Sequence, residues 1–492
     1  MGMRKLSRFA MSGVVFSLLL WLTSPGLAAS QASEIEALKG EIEELRRRDA
    51  ENRATMEKLL KKVEALEKAP PKPISAPEES AKEVTPSQPA PPALSSRQVG
   101  GTTYRLIDLS LNLLTAVGSS TEKDANIQLL QAGEHDPRQR GFTLQALELS
   151  AMGAVDPYFT AEAHLVYFID EEGESRFELE EAFFTTTSLP HGLQLEVGHF
   201  HTEFGRINPQ HAHQWRWLDQ PFINSRLFGA DALRQVGVRL GWLTPLPWFS
   251  EVHVGVQHPR GETMVSFFAN DEVFEARAIG GRPFVERDID GADDMVWLVR
   301  WNNSWDVSPE VTSLLGFSAL FGPNATGRDG QTVIYGADIL FRWRPTDNFR
   351  GWPFLEWQTE IMNRDYKADD FSGVDDMGNP IVIAGDTLRD WGLYTQLLYG
   401  FAYRWAAGLR YEYGTGSGSN VDEEGNPVSR AADPFRSDRY RISPLIIFHP
   451  TEFSRIRLQY NYDHADFLVD EEAHSVWLGA EVFFGAHAAH KY

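Results

Sequence analysis

Between Thr102 and Phe484 polar and apolar side chains alternate in about sixteen segments of roughly 8 to 15 residues, a period of two that predicts strands. After the N-terminus no apolar run is long enough for a membrane helix, so any membrane crossing by this stretch must use strands in a closed ladder. The connections alternate in length. Short ones are expected at Val155-Pro157, Ser188-Gly192, Pro245-Trp248, Trp305-Ser308, Pro345-Gly351, Ala402-Arg404 and His449-Glu452. At the other end most are long and polar, at Ser119-Arg140, His201-Leu233, Pro259-Asp293, Tyr366-Asp386 and Gly416-Arg436, with shorter ones at Glu171-Ser175, Gly322-Gly330 and Asp466-Glu472. Short turns at one end and long loops at the other mark an outer-membrane barrel. The expected fold is all-β, a transmembrane antiparallel β-barrel of 16 to 18 strands, most simply 16, over residues 101–485.

The N-terminus sets the compartment. Arg4, Lys5 and Arg8 precede the apolar run Val14-Leu22, and Pro25-Gly26-Leu27-Ala28-Ala29 supplies small residues for cleavage, so residues 1–29 read as a secretory signal peptide. An uncleaved anchor would need a run of about 20 residues. The chain has no cysteine, which removes disulfides and thiolate metal sites. A formal charge of −23 argues against a nucleic-acid partner.

Residues 30–68 carry a heptad repeat. Ile35, Ile42, Asp49, Met56 and Val63 take the a positions, and Leu38, Leu45, Asn52, Leu59 and Leu66 the d positions. This predicts a periplasmic α-helical coiled coil and hence a homo-oligomer. Ile at a with Leu at d favours two strands, whereas porin-like barrels commonly form trimers, and the trimer is preferred on that resemblance. The proline-rich segment 69–100 reads as an extended linker. Residues 486–492 form a short tail after the alternating final strand Ser475-Phe484.

Inside such a barrel the polar faces of the strands line the lumen. Early strands contribute Glu162, His164 and Glu196, and the middle ones Arg239, Arg300, Asp338, Arg342, Glu356 and Glu360. Later strands add Arg410, Glu412, Arg441, Arg457 and Asp463. Opposed charges on a pore wall order water and bias ion passage; the alternative is that they pair and fill a narrow interior. Glu178, Glu180 and Glu181 break the alternation of the fourth strand, which a β-bulge or a strand end would repair. The loop His201-Leu233 carries Arg206, Trp215, Arg216, Trp217 and Arg226, and so aromatic a loop is expected to fold into the lumen as a constriction. Pro259-Asp293 is a second candidate.

No cofactor is required by any motif. His199, His201, His211 and His213 form two His-x-His pairs that could offer imidazoles to zinc, copper or nickel, the other reading being polar loop residues. Asp369-Asp370 with Asp375-Asp376, and Asp422-Glu423-Glu424, could hold calcium or bridge lipopolysaccharide, against the reading of solvated loops. No nucleophile elbow, phosphate loop or His-Glu-x-x-His is present, so an enzyme is not expected.

The run Leu193-Pro209 carries Gly198, Phe200, Phe204, Gly205, Asn208 and Pro209. It resembles the Gly-x-Phe…Phe-Gly…Asn-Pro run of phosphate-selective-type porins, Gram-negative outer-membrane barrels with an N-terminal coiled coil. That resemblance implies a trimeric channel of sixteen or eighteen strands for anions. The family's phosphate preference comes from lysine and arginine ladders, whereas this lumen is more acidic and nearly free of lysine. The chain also resembles uncharacterised Gram-negative proteins labelled zinc-regulated TonB-dependent outer membrane receptors, through Gly198-His213 and the tryptophan-rich stretch after it. Such receptors imply a globular N-terminal plug and 22 strands, and this chain offers a coil, a spacer and about sixteen. The expected function is a porin-like channel for passive or facilitated diffusion of small hydrophilic or ionic solutes, embedded in outer-membrane lipid and lipopolysaccharide. Alternatives are a zinc uptake receptor and a structural barrel that tethers the envelope.

Overall fold

In a computed structural model the described residues are Lys39, 96–99, 102–105, 107–374 and 378–485. The expected signal peptide, the coiled coil, most of the linker and the tail 486–492 lie outside them.

Sixteen antiparallel strands close into one barrel, each paired with its sequence neighbours. They are β1 Asp108–Ser120, β2 Gly141–Ala154, β3 Phe159–Ile169, β4 Ser175–Thr186, β5 Leu193–His201, β6 Arg234–Leu243, β7 Phe249–Gln257 and β8 Val296–Ser308. The second half comprises β9 Val311–Pro323, β10 Gln331–Trp343, β11 Phe354–Ala368, β12 Asp386–Ala402, β13 Trp405–Ser417, β14 Arg439–Thr451, β15 Ser454–Ala465 and β16 Glu472–Gly485. The final strand pairs with the first from Ser475↔Ser120 to Gly485↔Ser110, which leaves the cylinder without an edge. Closure at sixteen excludes eighteen strands and the 22 that the receptor label implies.

The first strand begins later than the alternation suggests. Thr102–Arg105 pairs instead with Ser96–Val99 in a separate hairpin. The physical reason is partner supply: β16 ends opposite Ser110 and β2 pairs only as far as Asp108, so earlier backbone has no ladder to join.

Alternation then decides which face each side chain takes. On β15, Arg455, Arg457, Gln459, Asn461 and Asp463 are buried inside the cylinder, while Ile456 and Leu458 are exposed outside. The same exposed apolar set continues through Val236, Val238, Leu240, Val299, Phe317, Ile361, Leu397 and Leu409. Tyr158, Trp242, Trp248, Trp301, Trp305, Trp391, Tyr399 and Trp405 are exposed with them. An apolar outside with aromatics near strand ends, around a polar inside, is the lipid-facing pattern of an outer-membrane barrel. Trp352, by contrast, is half-buried and packs against the interior cluster around Trp217 and Leu398.

Two bulges shape the wall on one side. Between β1 and β2 the register passes from Leu114↔Ala146 to Thr115↔Leu144, which leaves Gln145 extra. Between β3 and β4 it passes from His164↔Glu181 to Leu165↔Leu179, which leaves Glu180 extra. The crowding of glutamates on β4 is therefore repaired by a bulge, and Glu180 and Glu181 are both buried.

The interior is filled. The segment between β5 and β6 enters the barrel, and its helix α1, Phe222–Phe228, is buried along its whole length. Ile223, Leu227 and Phe228 pack with Met264 and Phe267 of the β7–β8 loop and with inward Val166, Leu298, Leu320 and Met362. Both loops singled out for their aromatics thus contribute to one core inside the cylinder.

Candidate functional site

The infolded loop is anchored at its ends and along its path. Asn208 clamps the two ends together: its Nδ2 donates to the carbonyls of Thr202 (2.7 Å) and Leu233 (3.0 Å), and its Oδ1 accepts from Leu233 N–H (2.8 Å). Gly205 has φ +62, and a Cβ there would lie 2.3 Å from Glu360 Oε2. Glu360 uses that close approach to accept the Arg206 and Ile207 amides at 2.6 and 3.0 Å. Gly198, at φ +145, lets β5 press against β4, where a Cβ would lie 2.3 Å from the Ala182 carbonyl. Phe200 and Phe204 are fully buried. Gly198, Phe200, Phe204, Gly205 and Asn208 are therefore the residues by which the chain turns into its own lumen.

Farther along, Asp219 sits between two guanidiniums. Arg410 Nη2 donates to its Oδ1 at 2.5 Å and Arg441 Nη1 to its Oδ2 at 2.7 Å, with Gln459 Nε2 on Oδ1 at 2.8 Å. Burial opposes the charge of Asp219, but Arg410 and Arg441 outweigh it and hold the carboxyl below the usual carboxylate range. Arg457 Nη1 donates to the carbonyls of Trp215 (3.1 Å) and Trp217 (2.8 Å), and Trp217 Nε1 donates to the Ser443 carbonyl (2.9 Å). Glu412 accepts the Phe222 amide at 2.6 Å. Arg226 Nη2 donates to the Ser437 carbonyl at 2.7 Å, which ties α1 to the segment leading into β14.

All the wall residues singled out from the sequence point inward, and most of them are engaged. Arg239 pairs with Glu196 (2.7 Å) and Glu203 (2.8 Å), Arg300 with Asp338 (2.8 Å), and Arg441 with Asp463 (2.8 Å). Glu356 receives both Arg342 (2.8 Å) and Arg216 (3.1 Å). Arg410, Glu412, Arg441, Arg457 and Asp463 bind the loop or each other and are sealed from solvent.

Water-accessible space lies on both sides of the loop. At the long-loop end a cavity of about 580 Å³ is lined by nine carboxylates, including Glu134, Glu178, Asp231 and Glu262, against three arginines. At the short-turn end one cavity of about 350 Å³ is lined by Glu162, Glu196, Arg206, Arg239 and Arg300. Another of about 210 Å³ is lined by Arg206, His213, Arg216, Arg342 and Glu356.

Between these cavities, against β2, β3 and β4, lies a cluster of imidazoles and carboxylates. His211 stands at its centre, with Nδ1 2.7 Å from Glu180 Oε2 and Nε2 2.8 Å from Glu181 Oε2. Burial disfavours its positive form, but Glu180 and Glu148 outweigh that and raise its pKa well above the ordinary value. His164 Nδ1 lies 3.2 Å from Glu148 Oε1, and its Nε2 3.8 Å from Glu162 Oε2. His213 Nδ1 is 2.7 Å from Glu148 Oε2. His201 Nε2 lies 3.7 Å from Glu180 Oε1, and His135 Nε2 lies 3.9 Å from the same oxygen and 3.7 Å from Asp231 Oδ1. Arg234 also enters, paired with Glu178 and Asp231.

The structure thus brings together three of the four histidines singled out by their spacing, His201, His211 and His213. His199 stays half-buried on β5, and no group with metal-ligand spacing among the described residues includes it. Sequence reasoning missed His135 and the meeting of Glu148 and Glu180 at His211, because these come from separate strands and loops. The bulge that frees Glu180 was the only local signal. In the acidic loops, Asp422 accepts the amides of Glu424 and Asn426 at 3.1 and 2.7 Å, and Asp369 accepts those of Asp329 and Asp370 at 2.9 and 2.8 Å. Asp375 and Asp376 lie outside the described residues.

No protein-family model matches the chain. It is 27 % identical over 415 residues to an uncharacterized protein of Aquifex aeolicus, covering 79 % of this chain and 80 % of that one. Among solved structures it is similar to the outer membrane channel DcaP of Acinetobacter baumannii, with a TM-score of 0.47 and 10 % identity over 77 % of this chain and 97 % of that one. It is also similar to the anion-selective porin from Comamonas acidovorans, with a TM-score of 0.45 and 10 % identity over 77 % of this chain and 99 % of that one. OmpT of Vibrio cholerae in its trimer form is similar at a TM-score of 0.43 and 9 % identity, over 77 % of this chain and 99 % of that one.

Proposed function

We propose that the protein is a non-enzymatic outer-membrane channel for small hydrophilic or ionic solutes, narrowed by the loop between β5 and β6. The observation that carries this reading is the pairing of a closed, apolar-faced barrel with polar cavities on both sides of one infolded segment. Short turns would face the periplasm and long loops the exterior, as is general for such barrels. An even strand number then returns both barrel ends to the periplasm, where the expected coiled coil would serve a homo-oligomer, preferably a trimer.

The wall charges are mostly spent on each other and on the loop. Passage therefore depends on groups that still meet water, Arg206, Arg216, Glu162 and His213 among them. The external mouth is acidic and favours cations, which sets this channel apart from the anion preference that the phosphate-porin resemblance implies. Single-channel recording of the purified protein in planar bilayers tests the proposal. Stepwise conductance with a cation-biased reversal potential is expected, and a folded barrel that never conducts would overturn it. Arg206→Ala with Arg216→Ala should raise unit conductance; an unchanged value would place the constriction elsewhere.

A further inference from the structure

Two imidazoles beside Glu180, those of His135 and His201, face it as ligands rather than as hydrogen-bond donors. His201 Nδ1 lies 2.9 Å from the Asn208 carbonyl, and His135 Nδ1 lies 3.1 Å from the carbonyl of the bulge residue Gln145. A carbonyl can only accept, so both Nδ1 atoms carry the proton, and in its neutral form each ring presents a bare Nε2 lone pair. Each Nε2 is without a hydrogen-bond partner, in a residue 4 % exposed, and each is turned toward Glu180 Oε1. A protonated Nε2 would close on that oxygen to hydrogen-bond distance. These pairs instead stand 3.7 and 3.9 Å apart, lone pair against lone pair. Two ligands of one zinc-class ion at 2.0–2.1 Å lie about 3.3 Å from each other, so a small inward movement would seat a cation between them. A histidine whose second nitrogen donates to a backbone carbonyl is oriented in the way that metal-binding histidines are.

The candidate groups also overlap. His135–Glu180–Asp231 shares Glu180 with Glu180–His201–His211, which shares His211 with Glu148–His164–His211. At one end Asp231 lines the acidic external cavity. At the other, His213 on Glu148 and Glu162 beside His164 line the two cavities at the short-turn end. Arg234 supplies one positive charge at the mouth, shared between Glu178 and Asp231. Glu148, Glu162, Glu180 and Glu181 still outnumber it.

We propose that Glu180, with His135, Asp231, His201 and His211, binds a divalent transition-metal cation of the zinc class, and that the overlapping groups pass this cation across the infolded loop. The binding site stands on its own geometry, whereas the passage rests on the channel reading above. Mixed imidazole and carboxylate ligands select zinc-class ions over calcium and magnesium, which take oxygen alone.

The test uses the full chain, purified in detergent and reconstituted in liposomes. Calorimetric titration with Zn²⁺ at pH 7.5 should show saturable binding that millimolar Mg²⁺ does not displace. Glu180→Gln and His201→Ala should each weaken it at least tenfold. Glu272→Gln, which lines the same acidic cavity outside the cluster, should leave it unchanged. Zn²⁺ entry into liposomes holding a zinc-sensitive dye should fall at least tenfold in Glu180→Gln, while K⁺ conductance persists. No saturable binding, or equal binding by all variants of unchanged heat-modifiable mobility, overturns the site. Binding with Zn²⁺ entry unaffected by Glu180→Gln overturns the passage, and loss of all ion conductance in the wild-type protein overturns the channel reading while leaving the site to the titration alone.

Discussion

At the scale of single residues, the interior works by converting charge into attachment. Asp219 shows it most clearly, being fully buried and held by Arg410, Arg441 and Gln459. Removing one partner of a buried ion pair leaves the others uncompensated and costs about 3–5 kcal/mol. Asp219→Ala is expected to destabilise the barrel by that amount in urea unfolding followed by tryptophan fluorescence, and a loss under about 1 kcal/mol would mean that the arginines find other partners. The sign of the pH effect follows from the folded pKa of Asp219 lying below its ordinary value. Its stabilisation is present above the unfolded value near 3.8 and is lost as pH falls through the folded one. Limited pepsin digestion should therefore begin to cut within residues 202–233 only as pH falls below about 4. In Asp219→Asn the same cuts should appear already at pH 5.

At the scale of elements, the bulge on β4 and the turn of the loop are the decisive departures from regularity. The bulge adds one residue at Glu180 while Leu179 and Ala182 keep their pairing with Leu165 and Ala163. Deleting Glu180 should restore plain alternation and leave folding into vesicles unimpaired. Deleting Leu179 instead turns Glu180 toward lipid, which costs up to about 2 kcal/mol, and should lower folding yield. Equal yields for the two deletions would contradict the observed register. Gly205→Ala acts on the loop: its Cβ would meet Glu360, so the Arg206 and Ile207 amides lose their acceptor. Faster hydrogen exchange at these two amides is the expected outcome.

At the scale of the whole molecule, topology makes its own prediction. The chain lacks cysteine, so single cysteines report sidedness without background. Val469, 97 % exposed between β15 and β16, and Tyr158, exposed between β2 and β3, stand at opposite ends of the barrel. Val469→Cys should react with a membrane-impermeant maleimide on intact cells, and Tyr158→Cys only after the outer membrane is opened. The reverse pattern would invert the orientation proposed here.

The alternation of side chains was enough by itself to determine the barrel, its strand number to within two and the inward direction of nearly every wall charge, because a period of two assigns each residue to lipid or lumen before any contact is known. The aromatic composition of the β5–β6 loop likewise placed it inside, since water does not hold so many exposed rings. What the inward charges do was decided only by tertiary structure. Whether Arg457 lines a passage or holds the Trp217 carbonyl depends on where a loop more than 200 positions away comes to rest. The site around Glu180 is of the same kind: His135, Glu148, His164, Glu180, His201 and His211 come from two loops and four strands, and no spacing along the chain encodes the distances between them. Local pattern carries the wall because strand geometry is local, whereas a cluster of ligands exists only after the wall has closed.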